Sequence, residues 1–127
     1  MSKRAYRLED YLKHIHCLSQ HIPVHPVDLA RALEVSKPTV SVYLKQLQEN
    51  GYVVIGAHHI ITLTPKGLMI ARQTQQRHQT IQRLLEYLGV PSEVAESDAC
   101  MMEHGLSPQS YETIQRFTET QKRYGEK

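Results

Sequence analysis

Three residues near the end of the chain combine side-chain types that bind metal ions. Cys100, Glu103 and His104 stand at the i, i+3, i+4 spacing that places residues on one face of a helix. A thiolate, a carboxylate and an imidazole are all ligands of divalent transition metals. Taken singly, a cysteine is more often a small buried apolar residue and a glutamate a surface charge. Their combination at this spacing predicts a metal site.

Helical spacing supplies only one edge of a coordination sphere, so further ligands must come from other helices. Asp10, on a predicted first helix, is the clearest additional carboxylate, and His78, on a predicted long helix, offers a second imidazole. We assign His14, His16 and Cys17 to packing or to the surface. A site assembled from several helices would couple metal occupancy to the placement of those helices, as a sensor requires.

The elements of the first half are predicted from apolar periodicity and from the turn residues between periodic segments. The predicted elements are helices over 5–20, 26–33 and 37–49, then strands over 52–55 and 60–63 joined by a turn that contains Gly56. Ser36 is a good N-cap for the third helix, and Asn50-Gly51 is a good left-handed end. Helix, short turn, helix and hairpin in this order indicate a winged helix-turn-helix.

In that motif the second helix enters the DNA major groove and presents its N-terminal residues to base edges. The candidate DNA-binding residues are therefore Ser36, Lys37, Pro38, Thr39, Ser41 and Lys45. Lys37 and Lys45 are the predicted phosphate contacts. Taken one by one, these residues have an alternative interpretation without DNA: Ser36 and Thr39 only cap the helix, and the lysines only form a solvated helix face. The ordered motif favours double-stranded DNA as a partner.

The second half is predicted to be entirely helical. Helices are expected from Pro65 to about Leu88, from 91–92 to Gly105, and onward from 107–108. The predicted fold class is mainly α, with a winged helix-turn-helix domain over 1–71 and a helical domain over 72–127. An apolar stripe in the long helix could serve dimerisation or the intrachain core: Ile81, Leu84, Leu85 and Leu88.

Composition restricts the function classes. Residues 1–70 carry 8 Lys/Arg and 5 Asp/Glu, a net charge of +3, and residues 71–127 carry 7 and 8, a net charge of −1. The excess of positive charge in the first half is compatible with nucleic-acid binding. Two cysteines exclude a disulfide framework and fit a reducing cytoplasm. No apolar run suits a membrane span or signal peptide, so we expect a cytoplasmic protein without membrane contact.

The same motifs, in order, resemble those of the diphtheria-toxin-repressor family of iron- and manganese-dependent transcription regulators. The motifs that carry the resemblance are Glu9-Asp10-Tyr11-Leu12, Asp28-Leu29-Ala30, Ser36-Lys37-Pro38-Thr39-Val40-Ser41, Leu63-Thr64-Pro65-Lys66-Gly67, Arg77-His78, Asp98-Ala99-Cys100 and Glu103-His104-Gly105-Leu106-Ser107. The resemblance implies a homodimer whose metal-loaded form binds operator DNA and represses metal-homeostasis genes. It also implies that 72–127 is a dimerisation and metal-binding domain. The length matches the short branch without an SH3-like domain.

The resemblance also implies a ligand set. By position, Asp10, Cys100, Glu103 and His104 match the primary ligands of the family, and His78 matches an ancillary ligand. Glu96 could replace an ancillary histidine. The manganese branch has glutamate where this chain has Lys13 and Cys100. These departures predict one metal ion per subunit, with Fe²⁺ favoured, then Mn²⁺ or Zn²⁺/Co²⁺.

Two other functions are compatible with parts of this pattern. In the first, Lys13 pairs with Glu103 or Asp10, and the chain is a metal-independent or thiol-sensing DNA-binding regulator. The second is a metalloenzyme, which would need an open coordination position and a general base. The sequence contains no nucleophile elbow, phosphate-binding loop or zinc-protease motif, so we expect no enzyme activity and no small organic substrate.

Overall fold

The fold is described from a computed structural model that covers residues 6–125, with side chains described through residue 122. Its elements, in chain order, are α1 (Leu8–Ser19), α2 (Pro26–Leu33), α3 (Lys37–Glu49), β1 (Val53–Ile55), β2 (Ile61–Leu63), α4 (Pro65–Tyr87), α5 (Ser92–Met102) and α6 (Pro108–Gly125). The mainly α fold class is confirmed. Across residues 6–125, no helix has both the length and the apolar character needed to cross a membrane. The chain forms two compact units, the first ending at Thr74 and the second beginning at Gln75.

An aliphatic core holds the first unit together. Its largest fully buried apolar side chains come from the three helices, both strands and the α1–α2 connection: Tyr11, Leu12, Ile15, Val24, Leu29, Leu33, Val40, Leu47, Val53 and Ile61. Tyr11 stacks on Tyr43 with ring centroids 4.5 Å apart. Burial, followed by the proximity of Tyr43 and Tyr6, raises the pKa of Tyr11 to about 12. The inward face of α3 is therefore fixed by apolar packing, which leaves its other face outward.

The two helices of the helix-turn-helix, α2 and α3, begin and end at local contacts that the sequence predicts. Glu34 adopts a left-handed conformation (φ 56°) at the end of α2, and the Ser36 Oγ accepts a hydrogen bond from the Thr39 N–H at 3.3 Å to begin α3. Gly51, with φ 77°, follows the end of α3. These contacts lie within a few residues of each other in the chain, which explains why the bounds of α2 and α3 are as predicted.

The wing is an antiparallel hairpin in which Val53 pairs with Leu63 and Ile55 with Ile61. Its tip differs from the expected glycine turn, because His58 (φ 58°) and His59 (φ 59°) occupy the left-handed positions. Gly56 itself has φ −95°. Two successive left-handed residues suit a type I′ hairpin turn, for which Asn-Gly is the favoured pair. The two histidines therefore hold a conformation that costs L-residues of their size free energy.

The base of the wing is closed against the start of α4. The Thr64 Oγ1 donates to the Gly51 carbonyl at 2.6 Å, and the Lys66 Nζ donates to the Asn50 carbonyl at 3.0 Å while lying over the Tyr52 ring. A Cβ atom built on Gly67 would overlap the Tyr52 carbonyl oxygen. Glycine is thus required at 67 for the close approach of α4 to the chain that enters β1.

Much less apolar side chain is buried in the second unit. Ile81 is the largest of its buried apolar residues within the described side chains, and the others are small: Ala95, Ala99 and Cys100. Of the predicted stripe on α4, Leu84 and Leu85 are half-buried and Leu88 is 69% exposed. The stripe therefore serves the core at one end and faces solvent at the other.

The end of α5 corrects one expectation. The helix stops at Met102 rather than Gly105, and Glu103 is its C-cap with helical angles (φ −58°, ψ −27°). The Glu103 N–H still donates to the Ala99 carbonyl at 3.0 Å, so the helical path continues through Glu103. His104 lies in the turn that follows. The prediction that all three residues share one helix face was wrong for His104, because the chain has left the helix there.

Candidate metal centre and nucleic-acid interface

Three metal-ligating side chains converge inside the second unit. One donor atom each from His78 on α4, Cys100 on α5 and Glu103 at the end of α5 lies within 4.8 Å of the others. Cys100 is 5% and Glu103 is 3% exposed, so the donors are largely removed from water. Residues 100 and 103 are brought together by one helical turn, whereas His78 comes from a different helix. The structure thus joins His78 to two of the three residues from which the sequence predicted a metal site.

Glu103 lies between two imidazoles. Its Oε2 is 3.6 Å from the Nδ1 of His78, and its Oε1 is 3.5 Å from the Nε2 of His104. A carboxylate placed in this way can bind a cation through one oxygen while the other orients a histidine. Both histidine side chains are largely buried, at 15% and 10% exposure. The predicted ligands His78, Cys100 and His104 therefore all lie close to Glu103.

A half-buried arginine, Arg77, holds the turn that carries Glu103 and His104. The Arg77 guanidinium donates to the carbonyl oxygens of Glu103 at 3.0 Å and of Leu106 at 3.1 Å. Its carbon atom lies 4.7 Å from the centre of the Tyr111 ring at the start of α6. Arg77 thus fastens both ends of the turn between α5 and α6 to α4. Arg77 is not among the predicted site residues, and its place in the Arg77-His78 motif is the one signal in the sequence that points to it.

Asp10 belongs to the first unit, where it is 1% exposed. Its Oδ2 accepts a hydrogen bond from the Arg7 N–H at 3.0 Å, which caps the first turn of α1. Its Oδ1 lies 3.8 Å from the Nζ of Lys13, which is also buried. The ion pair anticipated for Lys13 thus includes Asp10. The role of Asp10 as a metal ligand stays a prediction.

Two further residues that the sequence analysis considers, one in each unit, are exposed. Glu96 is exposed on α5, so its auxiliary role stays a prediction. Cys17 is exposed on α1, and partial burial raises the pKa of its thiol, which the nearby Lys13 lowers only in part. Cys17 therefore matches the surface assignment and provides a control for Cys100.

The donor set fits a divalent transition metal. Imidazole and thiolate are ligands that iron, cobalt, nickel and zinc accept readily, and carboxylate is accepted by all of these and by manganese. Donors bonded to one such ion at 2.0–2.3 Å are separated by roughly 3.5 Å. The cluster, with all donor atoms within 4.8 Å, is near that geometry before any ion binds. Its burial would exclude competing water ligands.

The outward face of α3 carries the predicted DNA-binding residues. Ser36, Lys37, Pro38, Ser41 and Lys45 are exposed, and Thr39 is half-buried. The hydroxyls of Ser36 and Thr39 lie 2.8 Å apart and bond to each other, so part of their hydrogen-bonding capacity serves the N-cap. The face also presents Val42, a residue that the sequence analysis did not select.

Comparison with known proteins identifies both units. Residues 5–58 match the family model of the iron-dependent repressor N-terminal DNA-binding domain, and residues 64–124 match that of the iron-dependent repressor metal-binding and dimerisation domain. The transcriptional regulator MntR of Salmonella typhimurium is 34% identical over 117 residues, which is 91% of this chain and 74% of that protein.

Solved structures give the same fold. The manganese regulator SloR superposes with a TM-score of 0.81 at 27% identity, over 91% of this chain and 55% of that one. A manganese-dependent transcriptional repressor in complex with manganese gives a TM-score of 0.81 at 28% identity, over 89% of this chain and 53% of that one. The chain thus spans about half the length of these two solved proteins.

Proposed function

We propose a function for this chain from the family to which it belongs, the iron-dependent repressors. It is a transcription regulator that binds a divalent metal and, in the metal-loaded form, binds operator DNA and represses metal-homeostasis genes. The observation that carries the proposal is the buried cluster of His78, Cys100 and Glu103 in the domain matched to metal binding. The Salmonella relative is a transcriptional regulator by description, and the two solved proteins are manganese-responsive regulators, which supports the class of function.

In this proposal the metal is held by Cys100, Glu103 and His78, with His104 beside Glu103. Asp10 remains a further predicted ligand on the basis of the family resemblance, and Glu96 an auxiliary one. A bound ion would tie α4, through His78, to the end of α5, through the other two donors. The placement of these helices within the second unit would then depend on metal, which is the physical basis of a switch.

Fe²⁺ is the metal we propose, ahead of Mn²⁺ and of Zn²⁺ or Co²⁺. Cys100 supports this order, because a thiolate ligand favours iron, cobalt and zinc over the harder manganese ion. The buried Lys13 adds a fixed positive charge next to Asp10, at 3.8 Å. A second cation close to Asp10 would be repelled by this ammonium group. We therefore propose one metal ion per subunit.

A second copy of the chain is the proposed partner of the second unit. The family model for this region describes dimerisation. Large apolar side chains are exposed at the end of α4 and along α5: Tyr87, Leu88, Val94 and Met101. Exposed apolar residues grouped on neighbouring elements are typical of protein interfaces. We propose that these four residues contribute to the dimer contact, and that a reducing cytoplasm keeps Cys100 available for metal.

The test is DNA binding under anaerobic conditions, with DNA from upstream of the protein's own gene. Affinity is measured by fluorescence anisotropy with Fe²⁺, Mn²⁺, Zn²⁺ or a chelator. Binding that requires metal in the wild-type chain and in Cys17→Ala, but is lost in Cys100→Ala, is the expected result. The two variants make the same substitution, at the buried Cys100 of the cluster and at the exposed Cys17 of α1.

The competing function is a metal-independent or thiol-sensing regulator. It predicts equal binding with metal and with chelator, or binding that peroxide abolishes through Cys100. The 5% exposure of Cys100 argues against ready access of an oxidant to its sulfur. Equal affinity with chelator would contradict the proposal and would leave the cluster as a structural feature.

A further inference from the structure

Val42 is an apolar residue on a face of α3 that is otherwise polar. It is 57% exposed, the only large hydrophobic side chain with such exposure on this helix, all of which lies within the described residues. The other apolar positions Val40, Leu44 and Leu47 are buried. Val42 is therefore out of phase with the core-facing stripe, and its exposure is set by the helix register rather than by a loose end or turn.

The neighbours of Val42 place it within the predicted DNA contact. Thr39 and Lys45 stand at i−3 and i+3, and Pro38 at i−4, so they flank Val42 on one face of the helix. Scattered exposed valines are ordinary on protein surfaces. This one differs because residues predicted to meet DNA lie on both sides of it. If α3 enters the major groove, the side chain of Val42 enters with them.

The chemistry of the major groove restricts what a valine can contact there. Base edges present hydrogen-bond donors and acceptors, with one apolar exception, which is the 5-methyl group of thymine. A valine can neither donate nor accept a hydrogen bond, and it would leave a polar base edge desolvated and unpaired. Contact with a thymine methyl instead buries apolar surface on both partners.

The rest of the outward face limits the competing base contacts. The sequence of α3 contains no arginine or asparagine, and the exposed Gln46, at i+4 from Val42, is the residue of this face that can make the bidentate contact to adenine. Lys37 and Lys45 can meet phosphates or guanine, and the hydroxyls of Ser36 and Thr39 are partly committed to each other. Val42 is the one large apolar side chain exposed on α3, so apolar contact with a base falls to it rather than to these polar residues.

We propose that Val42 reads the 5-methyl group of a thymine in each half-site of the operator and makes that position selective for thymine. The inference rests on the DNA-binding role of α3. Burial of one methyl group against the valine predicts that its removal weakens binding about fourfold for each half-site.

The experiment begins with selection of binding sequences from random DNA duplexes, using the full-length protein with Fe²⁺ or Mn²⁺ under anaerobic conditions. Each thymine of the selected site is then replaced by deoxyuridine, which removes only the 5-methyl group. Affinities are measured for the wild-type chain, for Val42→Ala and for Val54→Ala. Val54 is a matched control, because it is also exposed, at 52%, but lies on β1.

We expect one thymine per half-site at which uracil weakens the wild-type and Val54→Ala proteins about fourfold, while Val42→Ala binds the two duplexes equally. Uracil effects that are the same in all three proteins would overturn the role of Val42 while leaving the DNA-binding function intact. Failure to enrich any sequence with either metal would instead overturn the DNA-binding function, and the inference with it.

Discussion

The two units of the chain differ in how many large apolar side chains they bury. Among the described residues, the first unit buries ten large apolar side chains fully, from its helices, strands and the connection before α2, and the start of α3 is capped locally. Among its side chains through residue 122, the second unit buries one large aliphatic residue, Ile81, together with two alanines and a cysteine. Each unit also buries a carboxylate: in the first, Asp10 has the ammonium group of Lys13 at 3.8 Å, whereas in the second, Glu103 lies between two histidines, where a bound cation would compensate its charge.

This difference indicates what each unit needs from outside. A unit with a filled core folds on its own contacts, whereas a unit with a small core and a buried carboxylate gains stability from anything that binds its folded form. The exposed Tyr87, Leu88, Val94 and Met101 extend the same argument to a partner surface. We therefore expect core substitutions to dominate in the first unit and ligand effects to dominate in the second.

The largest effect is expected from the core of the first unit. Leu47→Ala removes a fully buried side chain and should lower the free energy of unfolding by about 2–5 kcal/mol. Leu88→Ala, the same substitution at a 69% exposed position, should change it by less than about 0.5 kcal/mol in the monomer. Urea denaturation of both variants measures the difference. Similar losses would contradict the contrast between the units.

In the second unit the largest effect should fall on metal affinity. Glu103→Gln keeps the size of the side chain and removes the charge between two imidazoles. Replacing an outer partner of a metal site already costs about 10–100-fold, so loss of this ligand should cost at least about 100-fold. Glu93→Gln, on the exposed first turn of α5, is the control. Equal affinities by calorimetry would remove Glu103 from the site.

A smaller effect is expected from the arginine that holds the turn between α5 and α6. Arg77→Lys keeps the positive charge but loses the fork that reaches the carbonyls of Glu103 and Leu106. Metal affinity should fall about tenfold, because the ligand turn is less well held. Arg83→Lys, at an exposed position of α4, should change nothing. A lower metal affinity of Arg77→Lys with unchanged thermal stability would indicate that Arg77 positions the ligand turn. A parallel loss of thermal stability would indicate a general loss of structure.

The smallest effect concerns the wing. The double substitution His58→Asn with His59→Gly places the preferred pair at the two left-handed positions of the turn. It should raise the free energy of unfolding of the first unit by about 1 kcal/mol. Thermal denaturation monitored by circular dichroism checks this. An unchanged or lower stability would mean that the histidines make compensating contacts at the wing tip.

The sequence predicts the elements of the first unit well because their signals are local. The Ser36 cap, Gly51 and the apolar face of α3 act within a few residues of one another, and each is confirmed. The tip of the wing was not predicted, because its geometry follows from strand twist rather than from the preferences of His58 and His59. Local signals also misplaced the end of α5 by three residues.

The sequence predicts the candidate metal ligands, but it does not predict the residue that holds them in place. Cys100 and Glu103 are one helical turn apart, so their spacing was sufficient to bring them together. The contacts of Arg77 join residues 26 and 29 positions apart, and no pattern in a single sequence encodes such a distance. Val42 was overlooked because an apolar residue in a helix is ordinarily assigned to the core.

The central claim is that Cys100 is a metal ligand together with Glu103 and His78. The most direct measurement is an anaerobic titration with Co²⁺ followed by absorption, because a thiolate bound to cobalt gives a charge-transfer band in the near ultraviolet. We predict a band that saturates at one ion per chain, persists in Cys17→Ala and disappears in Cys100→Ala. A spectrum without a thiolate band in the wild-type protein, or the same band in both variants, would contradict the claim.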